Sequence, residues 1–231
     1  MITALLTIDD ISSKNTPAIV DYLNEKGITA IMFATGQNVE RYWNEAIYAL
    51  QHGMVVGNHS YSHPHFSELT LEAAIGEIER CEQVLNKLYA DAGVERVYRP
   101  FRFPFGDKGG DNRDALQDYF RLSGFSKVED RHLDYPWWKE SRLCTDIDTF
   151  WTFDFCEYQI PWDNDFTIED SFARMNNEHP AEGAALFREG NRHILLLHAH
   201  DETDALAPGY YRQFIDRMLD RGVIFDKHAF I

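Results

Sequence analysis

The chain has 231 residues, 44% apolar and 26% charged, enough for one sizeable core, and no stretch reads as a linker between domains. Its 38 acidic against 22 basic residues leave a formal charge of −16, which argues against a nucleic-acid partner, because polyanion binding needs clustered Lys and Arg. No apolar run approaches the roughly 18 to 20 residues of a membrane span, and the amino terminus has neither a basic region nor a signal-type apolar core, so composition leaves the compartment open.

In chain order, Ile2 to Ile8 predicts a buried strand that stops at an acid pair, Asp9-Asp10. Neighbouring side chains on a strand point to opposite faces, so the two carboxylates can share a site only where the strand ends and the chain turns. Thr16 as N-cap, Pro17 at the first helical position and Gly27 past the last turn punctuate a helix with Ile19 and Leu23 on its buried face. Strands are expected at Ala30 to Ala34 and Met54 to Val56. A long helix follows from about Thr70 to Ala90, with Ala74, Ile78, Cys81, Leu85 and Leu88 on one stripe. Val94 to Phe103 reads as a strand. The segment from about 128 to 189 is rich in aromatics and acids without a clear period, apart from a short helix near Glu169 to Asn176; it reads as an elaboration near the mouth of a barrel. Strands at Ile194 to Leu197 and Val223 to Phe225 flank a helix from about Pro208 to Asp220. The alternation is that of a β/α fold. Cys81, Cys144 and Cys156 form no CxxC pair and read as reduced thiols, with a Cys144 to Cys156 bridge the alternative in an oxidising compartment.

Four segments carry chemistry, and all follow or end apolar runs. Asp9-Asp10 is the first. His59 and His63 in "GNHSYSHPHFSEL" are the second: a spacing of four can bring two imidazoles to one ion, and Pro64 favours a tight turn there over a long helix. His65 reads as a bystander. One carboxylate with two neutral imidazoles is a common donor set for catalytic Zn²⁺. The second carboxylate, too close to ionise harmlessly without a cation, can then serve as a base toward water. The third segment is "RPFRFPFGD", where Arg102 can hold the free Asp by a bidentate pair. The fourth is His198, at the end of "RHILLL", where β/α folds place their sites.

With these segments in order, the sequence resembles the polysaccharide deacetylases of the NodB-homology type, carbohydrate esterase family 4. The resemblance rests on "TIDD", "HSYSHPH", "RFPFG" and "LLLH" and spans Thr7 to about Phe225. It implies an α/β fold, an irregular (β/α) barrel, forming one domain over 1–231 with the aromatic-rich elaboration at about 128–189. It implies zinc, or another divalent metal such as cobalt or nickel, at Asp10, His59 and His63. It also implies Asp9 as general base, Arg102 as its orienting partner, His198 as general acid, and Pro104 and Phe105 against the substrate, with the Phe105 N–H completing an oxyanion site. The fourth family motif, Asp-x-x-Asp-Trp, is met only loosely: Asp154-Phe155-Cys156-Glu157-Tyr158 offers Glu157 as the partner of His198, with Asp148 and Asp154 as competitors. Ile8, Phe103, Phe105 and Ala199 depart from the usual residues without removing a reacting group.

The implied reaction is release of acetyl groups from an N-acetylated sugar polymer or oligosaccharide, chitin-like or peptidoglycan-like, with no nucleic-acid partner and no membrane span. An extracytoplasmic location is implied by the same likeness; oligomeric state is not legible. O-acetylated sugars or small amides are the alternative substrates, and a non-catalytic glycan-binding relative is a third reading. Tyr135, Trp137, Trp138, Trp151 and Trp162 are candidates for stacking on sugar rings, against core packing as the plainer role.

Overall fold

The computed structural model describes residues 1–231. In chain order the elements are β1 (Ile2–Ile11), α1 (Thr16–Glu25), β2 (Ala30–Ala34), α2 (Gly36–Arg41), α3 (Trp43–Gln51), β3 (Val55–Asn58), α4 (Leu71–Ala92), α5 (Arg113–Leu122), α6 (Pro136–Glu140), β4 (Phe153–Asp154), α7 (Ile168–Met175), β5 (Arg192–His198), α8 (Asp201–Leu206), α9 (Tyr210–Asp220) and β6 (Val223–Phe225). All strand pairs are parallel, in the order β3-β2-β1-β5-β4, with β6 beside the amino-terminal part of β1.

Alternation along β1 builds two cores. Ala4, Leu6 and Ile8 pack outward, in one cluster with Ile19 and Leu23 of α1, Ala46 and Ala49 of α3, Leu85 of α4 and Phe214 of α9. Leu5 points the other way, joins Ile31, Phe33 and Ile194 from the neighbouring strands, and meets Val128, Leu133, Trp138 and Leu143. These last four residues belong to the irregular segment. Its first part therefore fills the barrel from the amino-terminal ends of the strands, where the Tyr135 hydroxyl also donates to the Arg192 carbonyl at 2.7 Å. The sequence-based placement of the whole elaboration at the mouth is corrected: only its later part, from about Phe150 onward, reaches that end.

The expected strand over Val94 to Phe103 does not form. Pro100 lacks the N–H a ladder needs, and Val97 and Tyr98 lie at the surface. What remains is a single contact register that closes the barrel irregularly. Asn58 donates its N–H to the Pro100 carbonyl at 2.9 Å, Arg102 donates to the Asn58 carbonyl at 3.0 Å, and Thr149 donates to the Phe101 carbonyl at 2.8 Å before the chain runs into β4. Gly57 permits this approach, since a Cβ there would stand 2.9 Å from both the ring and the carbonyl of Pro100.

The long helix is capped as its sequence requires: the Thr70 hydroxyl accepts from the Ala73 N–H, and Gly93 ends it in the left-handed conformation. At α1 the cap position falls on Asn15, with Thr16 inside the first turn and its hydroxyl accepting from the Ser13 N–H. Helices α2, α3, α5, α6 and α8 have no counterpart among the sequence expectations; α2, α3, α6 and α8 are short, and α3 buries mainly Ala46, Ala49 and Leu50, too thin an apolar stripe to stand out. The three cysteines are free. No helix is long and apolar enough to cross a membrane.

Candidate active site

The acid pair solves its facing problem with a bulge. β1 runs on to Ile11, but its register against β2 slips between Ile8 and Ile11, and Asp10 takes a left-handed φ of 62°. The extra residue brings both carboxylates to the mouth. Asn38 holds the bulge by donating its side-chain amide to the Asp10 carbonyl at 2.9 Å.

Asp9 points into the barrel, buried, and accepts from Arg102 Nη1 at 2.8 Å. The guanidinium is completely buried between the rings of Phe33 and Trp151. The expected bidentate pair is not what forms: Nη1 divides its two N–H groups between Asp9 and the Thr7 hydroxyl at 2.7 Å, Nε donates to the Thr149 carbonyl at 3.1 Å, and Nη2 is buried without a partner. Thr7 lies two residues before Asp9 and so on the same face of β1, which is why it can share that donor.

His59 and His63 sit in the expected tight turn rather than a helix, with Ser60 and His63 both at positive φ. His59 Nδ1 donates to the Arg102 carbonyl at 2.8 Å, which fixes the tautomer and leaves Nε2 with its lone pair toward the acids. His63 Nε2 lies 3.4 Å and His59 Nε2 3.8 Å from Asp10 Oδ1. Donor atoms about 3.3 Å apart are what a tetrahedral ion with 2.0 to 2.1 Å bonds requires. Protonation states agree: burial pulls the His63 imidazole down to about 4, leaving it neutral, while Asp10, though pushed up by burial, is held well below the usual carboxylate range by its hydrogen bond to His200 and by the surrounding imidazoles. Asp10, His59 and His63 therefore form a donor set that fits a divalent metal.

Beside it stands a second trio, Asp154, Glu157 and His198. Asp9 and His198 are register partners on the adjacent strands β1 and β5, which sets the two groups side by side at the mouth. Glu157 Oε1 accepts both the backbone N–H of His198 at 2.5 Å and its Nδ1–H at 3.1 Å. Burial works against the charged imidazole, but the Glu157 bond and charge, with Asp154 and Asp10 behind them, outweigh it and push His198 up to about 10. Asp148 is elsewhere, bonded to Lys108 and Gln117. Asp154 accepts from the Cys156 N–H, and burial raises its carboxyl to about 6. The Tyr158 ring meets His198 edge-on at 4.7 Å.

Pro104 is buried, while Phe105 is exposed at a φ of 58°, its ring 4.4 Å from His63 and stacked on His65 at 4.0 Å. His65, a bystander by its sequence, thus supports Phe105 over the donor set, and Asp107 faces it from 3.5 Å. Of the five aromatic candidates, Trp138 is core, its indole N–H donating to Asp130 at 3.2 Å, Tyr135 stacks on Trp137, and Trp162 is exposed. Trp151 lies against the Arg102 guanidinium and lines, with Trp137, a cavity that reaches Asp154 and Tyr158. Residues the sequence reading missed are Thr7, Tyr210, whose hydroxyl donates to the His198 carbonyl, and His200, whose Nε2 lies 2.8 Å from Asp10 Oδ2. An H-x-H spacing at a strand's end was the available signal for His200.

An irregular parallel β/α barrel that gathers acid and histidine groups at the carboxyl ends of its strands is a scaffold of the kind that carries its active site there. The chain belongs to the polysaccharide deacetylase family, whose model matches residues 2–120, half of the chain. It is 33% identical over 103 residues to the peptidoglycan-N-acetylglucosamine deacetylase of Bacillus cereus, covering 44% of this chain and 36% of that protein. It is 30% identical over 113 residues to a bifunctional xylanase/xylan deacetylase of Cellvibrio japonicus, covering 48% of this chain and 16% of that protein. The matches thus span about a third or less of those relatives' own length. The fold is similar throughout to the family 4 carbohydrate esterase of Streptomyces lividans in complex with acetate, with a TM-score of 0.62 and 22% identity over 97% of this chain and 92% of that one.

Proposed function

We propose that residues 1–231 act as one metal-dependent deacetylase domain that hydrolyses N-acetyl groups on an amino-sugar polymer or oligosaccharide, peptidoglycan-like or chitin-like. The observation that carries this reading is the pairing at the mouth: on β1 a carboxylate clamped by the buried Arg102, and on the adjacent strand β5 a histidine clamped by the buried Glu157, side by side at one register position. Asp10, His59 and His63 would hold zinc, or cobalt or nickel in its place. When bound, the cation supplies Lewis acidity to the acetyl carbonyl and lowers the pKa of adjacent water toward ~7.

The chain's own residues do the rest. Asp9 accepts the proton of the attacking water, and Arg102 holds that carboxylate in one orientation. The Phe105 N–H meets the oxygen on which negative charge develops, and Pro104 and Phe105 wall the acetyl group. His198, with Nδ1 engaged by Glu157, presents Nε2 to the departing nitrogen and protonates it, without which the amine could not leave. An extracytoplasmic location goes with a polymer substrate of this class.

A specific observation favours a second reading, deacetylation of O-acetylated sugars: the likeness to a xylan deacetylase, whose chemistry would use the same groups. Acetate release from chitooligosaccharides, peptidoglycan fragments, acetylated xylan and small acetamides decides between them. Turnover on the amino-sugar substrates with chelator-sensitive activity is expected. Exclusive turnover of acetylated xylan would move the assignment to O-deacetylation, and no turnover on any substrate with Zn²⁺ bound would leave a glycan-binding relative.

A further inference from the structure

Asp10 uses its two oxygens on two sides. Oδ1 faces the imidazoles of His59 and His63, and Oδ2 faces His200 Nε2 at 2.8 Å. Carboxylate oxygens only accept, so the nitrogen facing Oδ2 carries the proton and cannot at the same time offer a lone pair to an ion. His200 also falls outside the group whose donor atoms all lie within 4.8 Å of one another, which holds Asp10, His59 and His63.

Local structure explains why a histidine arrives there. After β5 ends at His198, the Ala199 N–H still donates to the Asp9 carbonyl at 3.1 Å, and His200 keeps an extended backbone, φ −91° and ψ 124°, as the N-cap residue of α8. His198 and His200 therefore leave the chain on one face, ring centroids 5.4 Å apart, one reaching Glu157 and the other Asp10. The turn is anchored to the segment after the acid pair. Asp201 accepts from the Lys14 and Asn15 N–H groups at 3.2 and 3.0 Å, and the Asn15 side chain donates to the His200 carbonyl at 3.4 Å. The Asp10 backbone sits in the left-handed bulge, tied by Asn38, so its side chain is braced at both ends: Asn38 at the main chain and His200 at the distal oxygen.

We infer that His200 is a positioning residue of the cation site, which holds Asp10 so that Oδ1 alone is presented with His59 and His63. The inference rests on the metal-site reading above and assigns His200 no contact with the ion. It inverts the common arrangement in which a carboxylate orients a ligating histidine. Without His200, Asp10 is free to rotate, which costs ligand preorganisation and lets Oδ2 compete for the ion.

The test is cation binding by the full chain, measured by competition with a chromophoric chelator for Zn²⁺ and by the visible absorption of the Co²⁺ form. His200→Leu is expected to weaken affinity by about 10- to 100-fold, the usual effect of removing such a support, and to alter the Co²⁺ spectrum. His200→Gln, whose amide N–H can take the place of Nε2–H, is expected to restore most of the affinity and the wild-type spectrum. Circular dichroism and thermal melts of both variants separate binding loss from misfolding. Unchanged affinity and spectrum in His200→Leu overturn the inference. So does a folded His200→Gln that fails as fully as His200→Leu, because that result makes His200 itself a ligand. A wild-type chain that binds neither Zn²⁺ nor Co²⁺ overturns the metal-site reading, and this inference with it.

Discussion

At the carboxyl end of the barrel the inward positions are Asp9, Arg102 and His198; a few residues earlier on β1 and β5, and on the neighbouring β2, they are Leu5, Ile194 and Ile31, sealed by Trp138. Backbone conformation divides the same way. Five of the six non-glycine residues at positive φ, Asp10, Ser60, His63, Phe105 and Cys156, stand at or beside the polar end, and only Arg142 belongs to the plugged one. Left-handed backbone outside glycine is unfavourable by about 1 kcal/mol or more and persists where surrounding structure demands it. One end is thus packed for stability, and the other accepts strained turns and buried charge to aim side chains at a common point.

The sharpest way to break this division is to alter one carboxylate at the polar end. Asp9→Asn keeps the shape but removes the base, so turnover is expected to fall by roughly 10²- to 10⁴-fold with cation content retained. Asp10→Asn should instead lose cation, with activity partly recovered in excess Zn²⁺. Steady-state kinetics with metal analysis checks both; equal loss of metal in the two variants would show that base and ligand are not separate roles.

The converse substitution acts at the plugged end. Trp138→Ala removes a buried side chain that fills the barrel floor and is expected to destabilise the fold by about 3 to 5 kcal/mol, read by denaturant unfolding. Cation affinity and turnover per folded molecule should hold. A selective fall in turnover without loss of stability would mean that the floor also shapes the mouth.

How much of this contrast could be read in the sequence depended on whether the information was local. Helix α4 was legible because its apolar stripe, Ala74, Ile78, Cys81, Leu85 and Leu88, lies within one element. The donor types at Asp9, Asp10, His59, His63 and His198 were legible because each stands where an apolar run stops. The bulge that turns Asp10 beside Asp9 was not, since it arises from a register slip against β2 that no local pattern encodes. The Val94 to Phe103 stretch misled because its apolar residues are spent on the surface and in the Phe101–Phe103 cluster rather than on one strand face. The aromatic elaboration misled for a related reason: composition showed rings but not which end of the barrel lacked a cover.

A smaller effect concerns the clamp on His198. Its imidazole is raised to about 10 against an ordinary value near 6.5, chiefly by Glu157 acting against burial. A raised histidine pKa contributes stability that is fully present below about 6.5 and is lost as pH rises through about 10. Glu157→Gln removes the negative partner, so the basic limb of the rate profile should move to lower pH, and the stability difference from wild type should shrink across that window. An unmoved limb would pass the role to Asp154, the other carboxylate of the trio.

The smallest expected effect compares two left-handed residues, one from each end. Arg142 has φ 62° on the exposed side of the floor, and Phe105 has φ 58° at the mouth. Glycine relieves the backbone at either position but adds freedom to the unfolded chain, so each substitution should change stability by no more than about 1 kcal/mol. Their functional consequences should differ. Arg142→Gly touches only a surface pair with Asp114 and should leave kinetics alone. Phe105→Gly removes the ring packed on His63 and His65, so KM for an acetylated oligosaccharide should rise while stability stays near wild type. If Arg142→Gly alters KM equally, left-handed backbone is not a mark of the functional end, and the division between the two ends rests on side-chain polarity alone.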